Sequence, residues 1–218
     1  MIQLIAFLGN YGKEYERTRH NVAWMFEESL CCAGQILWQN KFKGDFFSWD
    51  TDALVRTFVE KGILKARDSG ELPIPDAAPK KIFFLKPLTY MNLSGDAIAE
   101  ASHFYKIPAS DILVVHDEIE LPLGTVSLKW SGGLGGHNGL RSAKATLGTA
   151  DFWRLRFGVG KPSNGQVADY VLGHFTADEQ ISLSRVFDQS QELFAKMLVS
   201  KDLQRLIPAW GKKKIDLE

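Results

Sequence analysis

Residues 112–116 read Ile-Leu-Val-Val-His and lead directly into Asp117 and Glu118. A short apolar run without polar alternation is how a strand reads when both its faces are covered, so this segment predicts a strand at the centre of a sheet. The opening residues 1–9, MIQLIAFLG, predict a first, mostly buried strand that gives way to Gly9 and Gly12.

Outward from these two strands the period changes. Val22, Met25, Phe26 and Leu30 recur at helical spacing and predict a helix over 21–34 that stops at Gly34. Residues 53–59 (ALVRTFV) and 81–86 (KIFFLK) read as strands, and the polar, proline-bearing segment between them reads as a hairpin-like excursion or mobile loop. Residues 94–105 have helical spacing through Ile98, Ala101 and Tyr105. Strands follow at 126–130 and 154–160, with a helix near 138–147 between them. Thr176 and Glu179 form a capping box, after which Leu183, Val186, Phe187, Phe194, Met197 and Leu198 keep helical register. The basic residues from Gly211 to Lys214 are expected to fray. Strands alternating with helices predict one α/β domain over 1–218, a mixed, mostly parallel central sheet flanked by helices.

Composition bounds the function without choosing it. The chain has 218 residues, 45% hydrophobic and 24% charged, an ordinary globular mixture. No apolar stretch reaches the roughly 18 residues of a membrane span. The first residues carry no basic segment before their apolar run, so a cytoplasmic location is expected. Cys31 and Cys32 are adjacent. Neighbouring thiols rarely bridge each other and two alone make a poor zinc site, so both are expected reduced. The 26 basic and 26 acidic residues balance, so any nucleic-acid binding must come from a local patch.

Several residues could carry chemistry. His20 stands in a polar loop, TRHN, after the first strand, where α/β folds place functional groups. Its imidazole suits proton abstraction from water near neutral pH, and a surface or cap-partner histidine is the plain alternative. Asn21 beside it reads as an N-cap. Asp117 ends the apolar run, where a strand points a carboxylate into the binding crevice and could fix a histidine's tautomer; an ordinary turn residue would look the same. Strand alternation turns His116 and Glu118 to the opposite side.

Residues 131–140, SGGLGGHNGL, allow close backbone approach and expose amide N–H groups. They match neither a phosphate-binding P-loop nor a dinucleotide fingerprint, and a merely flexible loop remains open. Asn138 is the member best suited to a polar ligand, with His137 left as structural. Asn92 in TYMNLSG and Asn10 after the first strand each offer a donor and an acceptor, as caps or turn residues also would. Lys129, Arg141, Lys144, Arg154 and Arg156, with Trp130 and Trp153 interleaved, could form a basic and aromatic face for a phosphate backbone, or a solvated surface.

Taken together, GNYGKEYERTRHN, KPLTYMNLSG, HDEIELPLG, GGHNGLRS, WRLRFGVGKP and DYVLGHF follow the order and rough spacing of another family. From residue 1 to about 200 the chain resembles bacterial-type peptidyl-tRNA hydrolases. The resemblance implies a monomeric α/β enzyme that needs no obligatory metal or organic cofactor and hydrolyses the ester of peptidyl-tRNA. It implies His20 as general base and Asp117 as its supporting carboxylate. It implies Asn10 as the residue that tells N-acyl from free aminoacyl substrate, and Asn92 and Asn138 as holds on the peptide backbone, the 3′ adenosine or the attacking water. Tyr15 and Tyr90 match aromatic contacts to the tRNA end, and Lys129 and Arg156 match a clamp on its 5′ phosphate.

The chain also departs from that pattern. Tyr11 stands where proline is usual, and Leu134 where histidine is common. The stretch from about 48 to 80 is longer than the family pattern and could be a hairpin bordering the cleft. Two other classes compete: a non-catalytic RNA-binding protein on the same fold, and a small-ester deacylase acting without RNA. The presence of both His20 and Asp117 speaks against the first, and the basic Lys129 and Arg156 against the second.

Overall fold

Leu4 to Leu8 and Ile112 to Asp117 bury every side chain, as unbroken apolar strands must when helices cover both faces. The computed structural model describes residues 1–162 and 166–216. The elements run β1 (Leu4–Phe7), α1 (Val22–Ser29), β2 (Gln39–Lys41), β3 (Gly44–Asp50), α2 (Thr51–Glu60), β4 (Lys81–Pro87), α3 (Ser94–Tyr105) and β5 (Ile112–Glu118). They continue with β6 (Thr125–Trp130), α4 (Asn138–Leu147), β7 (Trp153–Gly158), α5 (Val167–Leu172), α6 (Ala177–Val199), α7 (Ile207–Trp210) and β8 (Lys213–Lys214).

One sheet takes the order β2-β3-β4-β1-β5-β7-β6-β8. Its centre, β4, β1, β5 and β7, is parallel; the strands outside are antiparallel. The alternate side chains of the central strands enter two cores. Phe7, Val115 and Leu155 meet Phe26 of α1, Phe58 of α2 and Phe194 of α6 on one face. Leu4, Ala6 and Val114 meet Ile98 of α3 and Leu140 and Ala143 of α4 on the other. On that second face α3 and α4 approach closely, because Gly95 has no side chain: a Cβ there would lie 2.3 Å from the Ser142 backbone.

The single α/β domain with a parallel core matches the expectation, while several elements do not. Residues 53–59 are helical, within α2. Asp50 caps this helix by accepting the Ala53 N–H at 3.1 Å. Leu54, Val55 and Phe58 form its buried stripe, so the β-branched composition misleads and the helical period wins. The hairpin β2–β3 is absent from the sequence reading. Its two-residue loop, Phe42–Lys43, takes φ of 55° and 54°, a primed turn that usually advertises itself through Asn-Gly or Asp-Gly. The helix expected over 21–34 ends at Ser29, and Gly34 lies inside a separate 3-10 turn, Ala33–Gln35.

The tail is anchored as well. Lys213 and Lys214 pair with Val126 and Thr125, and Trp210 and Ile215 are buried. Apolar residues on either side of the lysines hold them; residues 217–218, the end of the tail, lie outside the described residues. The long stretch before β4 does not border the cleft. Ile63, Leu64, Leu72 and Ile74 pack onto the first core, and Arg67, Pro75 and Asp76 face Val199 to Asp202 at the C-terminal end of α6.

Candidate active site

The loops leaving the carboxyl ends of β1, β4 and β5 converge, as expected where the strand order reverses around β1. They enclose a cleft of about 430 Å³ lined by Asn10, His20, Tyr90, Met91, Asn92, Asn138 and, from α5, Ala168, Val171 and Leu172.

His20 lies in the 3-10 turn Arg19–Asn21, tied to the α5 end by Arg19. The Arg19 backbone N–H donates to the Gly173 carbonyl at 3.0 Å, its guanidinium donates to the His174 carbonyl at 2.9 Å, and it pairs with Glu179 at 2.9 Å. The same guanidinium stacks 4.4 Å from the Tyr170 ring centre. Held this way, His20 brings its Nδ1 to 2.8 Å from Asp117 Oδ1.

The same Asp117 oxygen meets a second imidazole, His137 Nε2, at 2.9 Å. His137 is the N-cap of α4, and its Nδ1 accepts from the Gly139 N–H at 3.1 Å and the Leu140 N–H at 3.4 Å. A nitrogen that accepts two N–H groups carries no proton, so the His137 proton is on Nε2, directed at Asp117. Burial penalises the charged form of Asp117, but electrostatic attraction to the two imidazoles and hydrogen bonds from their two N–H donors outweigh it and hold the carboxyl well below the usual carboxylate range. An ionised Asp117 fixes the His20 proton on Nδ1, which leaves Nε2 with its lone pair as the basic atom. His137 is the contributor that sequence reading set aside as structural. The available signal was a histidine at an N-cap, a position that favours Ser, Thr, Asp or Asn.

His116 does not turn fully away from this group as strand alternation predicts: its ring packs edge-on against His137, with centroids 4.9 Å apart, and its Nδ1 donates to the Asp117 carbonyl at 2.6 Å. Full burial, then the neighbouring His137, lowers its pKa well below the ordinary histidine value, so it stays neutral.

The asparagines occupy the cleft wall. Asn10 is buried, and its Oδ1 accepts the Met91 N–H at 2.8 Å. Asn92 and Asn138 are exposed into the cleft, Asn138 as the first residue of α4 with Arg141 donating to its Oδ1 at 3.3 Å. Tyr90 stands at the rim, 59% exposed and available for stacking. Tyr15 is not among the residues lining the cleft; it is half-buried, and its carbonyl accepts from Thr18 beside the His20 turn. Asn21 stands at the N-cap of α1 but makes no side-chain cap.

The basic residues divide. Register puts Lys129 opposite Arg154 and Ser127 opposite Arg156 on one face, while Trp130 and Trp153 pair with each other and belong to the first core on the other face. The interleaved aromatic face therefore does not form. Arg154 is fully buried and holds the glycine loop, donating to the Gly133 and Gly132 carbonyls at 2.7 and 2.9 Å. Arg156 pairs with Glu118 at 3.2 Å and donates to Ser127 at 2.6 Å. Lys129 is partly exposed beside it, with its pKa lowered by burial and by the Arg156 and Arg154 charges. His20, Asp117 and His137 have ligand atoms within 4.8 Å of one another, a spacing that could hold a metal ion. Both imidazoles already donate N–H to the carboxylate and His137 also caps α4, so these atoms are committed to proton placement.

The sequence model described as peptidyl-tRNA hydrolase matches residues 4–217. A peptidyl-tRNA hydrolase of Treponema pallidum is 41% identical over 218 residues, covering 98% of this chain and 96% of that protein. The one from Bacillus subtilis is 40% identical over 189 residues, covering 86% and 87%. The crystal structure of peptidyl-tRNA hydrolase from Acinetobacter baumannii superposes with a TM-score of 0.74 at 31% identity, covering 95% of this chain and 93% of that one.

Proposed function

The chain belongs to the peptidyl-tRNA hydrolase family, and from that premise we propose that it cleaves the ester of peptidyl-tRNA by direct attack of water, with His20 as general base. The observation that carries the mechanism is the His20 Nδ1 contact to the ionised Asp117 at 2.8 Å, which leaves Nε2 for a water in a cleft lined by asparagines. Nε2 takes a proton from that water as the oxygen attacks the ester carbonyl. The tetrahedral adduct collapses, the bond to the ribose 3′ oxygen breaks, and the imidazolium returns the proton to the leaving oxygen. The products are a peptide carboxylate and a tRNA with a free 3′ hydroxyl.

Asn10, Asn92 and Asn138 would hold the peptide carbonyls and amides, and Tyr90 the terminal base. Tyr15, away from the cleft lining, would act only at its margin. Lys129 and Arg156 would meet tRNA phosphate, with Glu118 aiming the Arg156 guanidinium. No helix among the described residues is long and apolar enough to cross a membrane, and the free thiols Cys31 and Cys32 fit a cytoplasmic setting.

Rapid quench of a single turnover on N-acetyl-aminoacyl-tRNA, followed by intact-protein mass measurement, tests direct water attack. Unmodified protein at every time point is expected; an acylated serine or cysteine that forms and decays with product would overturn it.

A further inference from the structure

The Asn21 side chain is spent on something other than the helix it begins. At the N-cap of α1 it makes no cap hydrogen bond. Its Oδ1 instead accepts the Asn10 N–H at 2.8 Å, and its Nδ2 donates to the Asn10 carbonyl at 3.0 Å. One carboxamide thus satisfies both backbone groups of a residue just beyond β1, as a neighbouring strand would. Both residues are buried, Asn21 at 2% exposure and Asn10 at 7%. Met91 N–H holds the Asn10 Oδ1, so the part of Asn10 left for the cleft is its amide nitrogen, a pure donor. Asn21 directly follows His20 in the turn Arg19–Asn21. The same turn therefore carries both the base and the clamp on this donor.

We propose that Asn21 is a positioning residue that fixes the Asn10 amide donor relative to His20 and thereby sets the preference for N-acylated over free aminoacyl-tRNA. An acyl carbonyl is an acceptor and pairs with the Asn10 nitrogen, which places the ester carbon for the water held by His20. A free α-ammonium group offers only donors and meets a donor there. This inference rests on the hydrolase reading. A role confined to loop stability would instead predict equal losses on both substrates and effects independent of Asn10.

The test is a double-mutant cycle on N-acetyl-aminoacyl-tRNA and its unblocked counterpart, using wild type, Asn10→Ala, Asn21→Ala and the double variant, measured on the pH-independent plateau. Asn21→Ala is expected to lower kcat/KM on the acylated substrate on the order of 10- to 100-fold, to narrow the preference between substrates, and to add little once Asn10 is alanine. Losses that multiply in the double variant, or an unchanged preference, would overturn the proposal. Asn21→Asp keeps the acceptor for Asn10 N–H and loses the donor, so it supplies the same cycle should Asn21→Ala not fold. A folded wild type that cleaves neither substrate sinks the hydrolase reading first, and this inference with it.

Discussion

At the residue scale, one carboxylate oxygen organises two histidines with different duties. His137 is locked by the α4 cap and cannot turn, so it holds Asp117, and Asp117 holds the tautomer of His20. Asp117→Asn replaces an obligate acceptor with a group that also donates, which allows the His20 proton to move to Nε2. A fall in kcat of roughly 100-fold or more is expected in single-turnover assays, with the fold intact by circular dichroism; a fall under about tenfold would separate Asp117 from the base. The buried ionisable groups also set a pH dependence of stability. His116 has a folded-state pKa below its unfolded value, so the unfolded chain takes up its proton first as pH falls. Stability is therefore lost on acidification through the ordinary imidazole value of about 6.5, and the depressed Asp117 extends the loss below the ordinary carboxylate value of about 4. Urea midpoints at several pH values should fall across the upper window in wild type and less steeply in His116→Gln. Equal slopes would count against a neutral, buried His116.

At the element scale, the site depends on how helices are set against the sheet. The α3–α4 contact closes over Gly95, whose N–H donates to Ser142 Oγ at 2.9 Å and whose carbonyl accepts from Thr146 at 2.9 Å. Gly95→Ala would force α4 away, and His137 and Asn138 ride at the end of that helix. Thermal denaturation should register a loss of roughly 1–3 kcal/mol from overpacking, accompanied by reduced turnover; a variant as stable and active as wild type would show that this crossing tolerates movement. Elements with strong local signals were legible in the sequence. The run at 112, the spacing from Ser94 to Tyr105 and the capping box at Thr176 all became the elements expected. What failed lacked a local signal or carried a false one. The β2–β3 turn uses Phe42 and Lys43 where glycine or asparagine is usual, and α2 is written in β-branched residues. Asn10, His20, Asn92 and Asn138 line one cleft with Asp117 behind His20, a convergence that only the family resemblance implied, since each residue alone also read as a cap, turn or surface residue. Asn21 and His137 were not read correctly, since their partners are 11 and 20 residues away and only the fold brings them together.

At the scale of the whole molecule, a chain with zero net charge at pH 7 has to recognise a polyanion through a local patch. Lys129 and Arg156 lie on neighbouring strands beside the glycine loop, and Arg154 is withdrawn into that loop's support. Lys129→Ala and Arg156→Ala should each raise KM for the tRNA substrate and reduce the slope of log KM against log salt by about one contact, while kcat stays near wild type. A slope unchanged in both variants would move the tRNA contact elsewhere and revive cleavage of small esters without RNA. The fold, the cleft and the charge pattern lead to one chemical event, a proton leaving water for His20 Nε2. The most direct measurement is release of N-acetyl amino acid from N-acetyl-aminoacyl-tRNA by wild type and by His20→Ala under identical conditions. Turnover by wild type and a loss of roughly 100-fold or more in the variant, with tRNA binding retained, is the predicted result. Turnover preserved in His20→Ala would contradict the general-base assignment, and a wild type that binds tRNA and releases nothing would contradict the hydrolase itself.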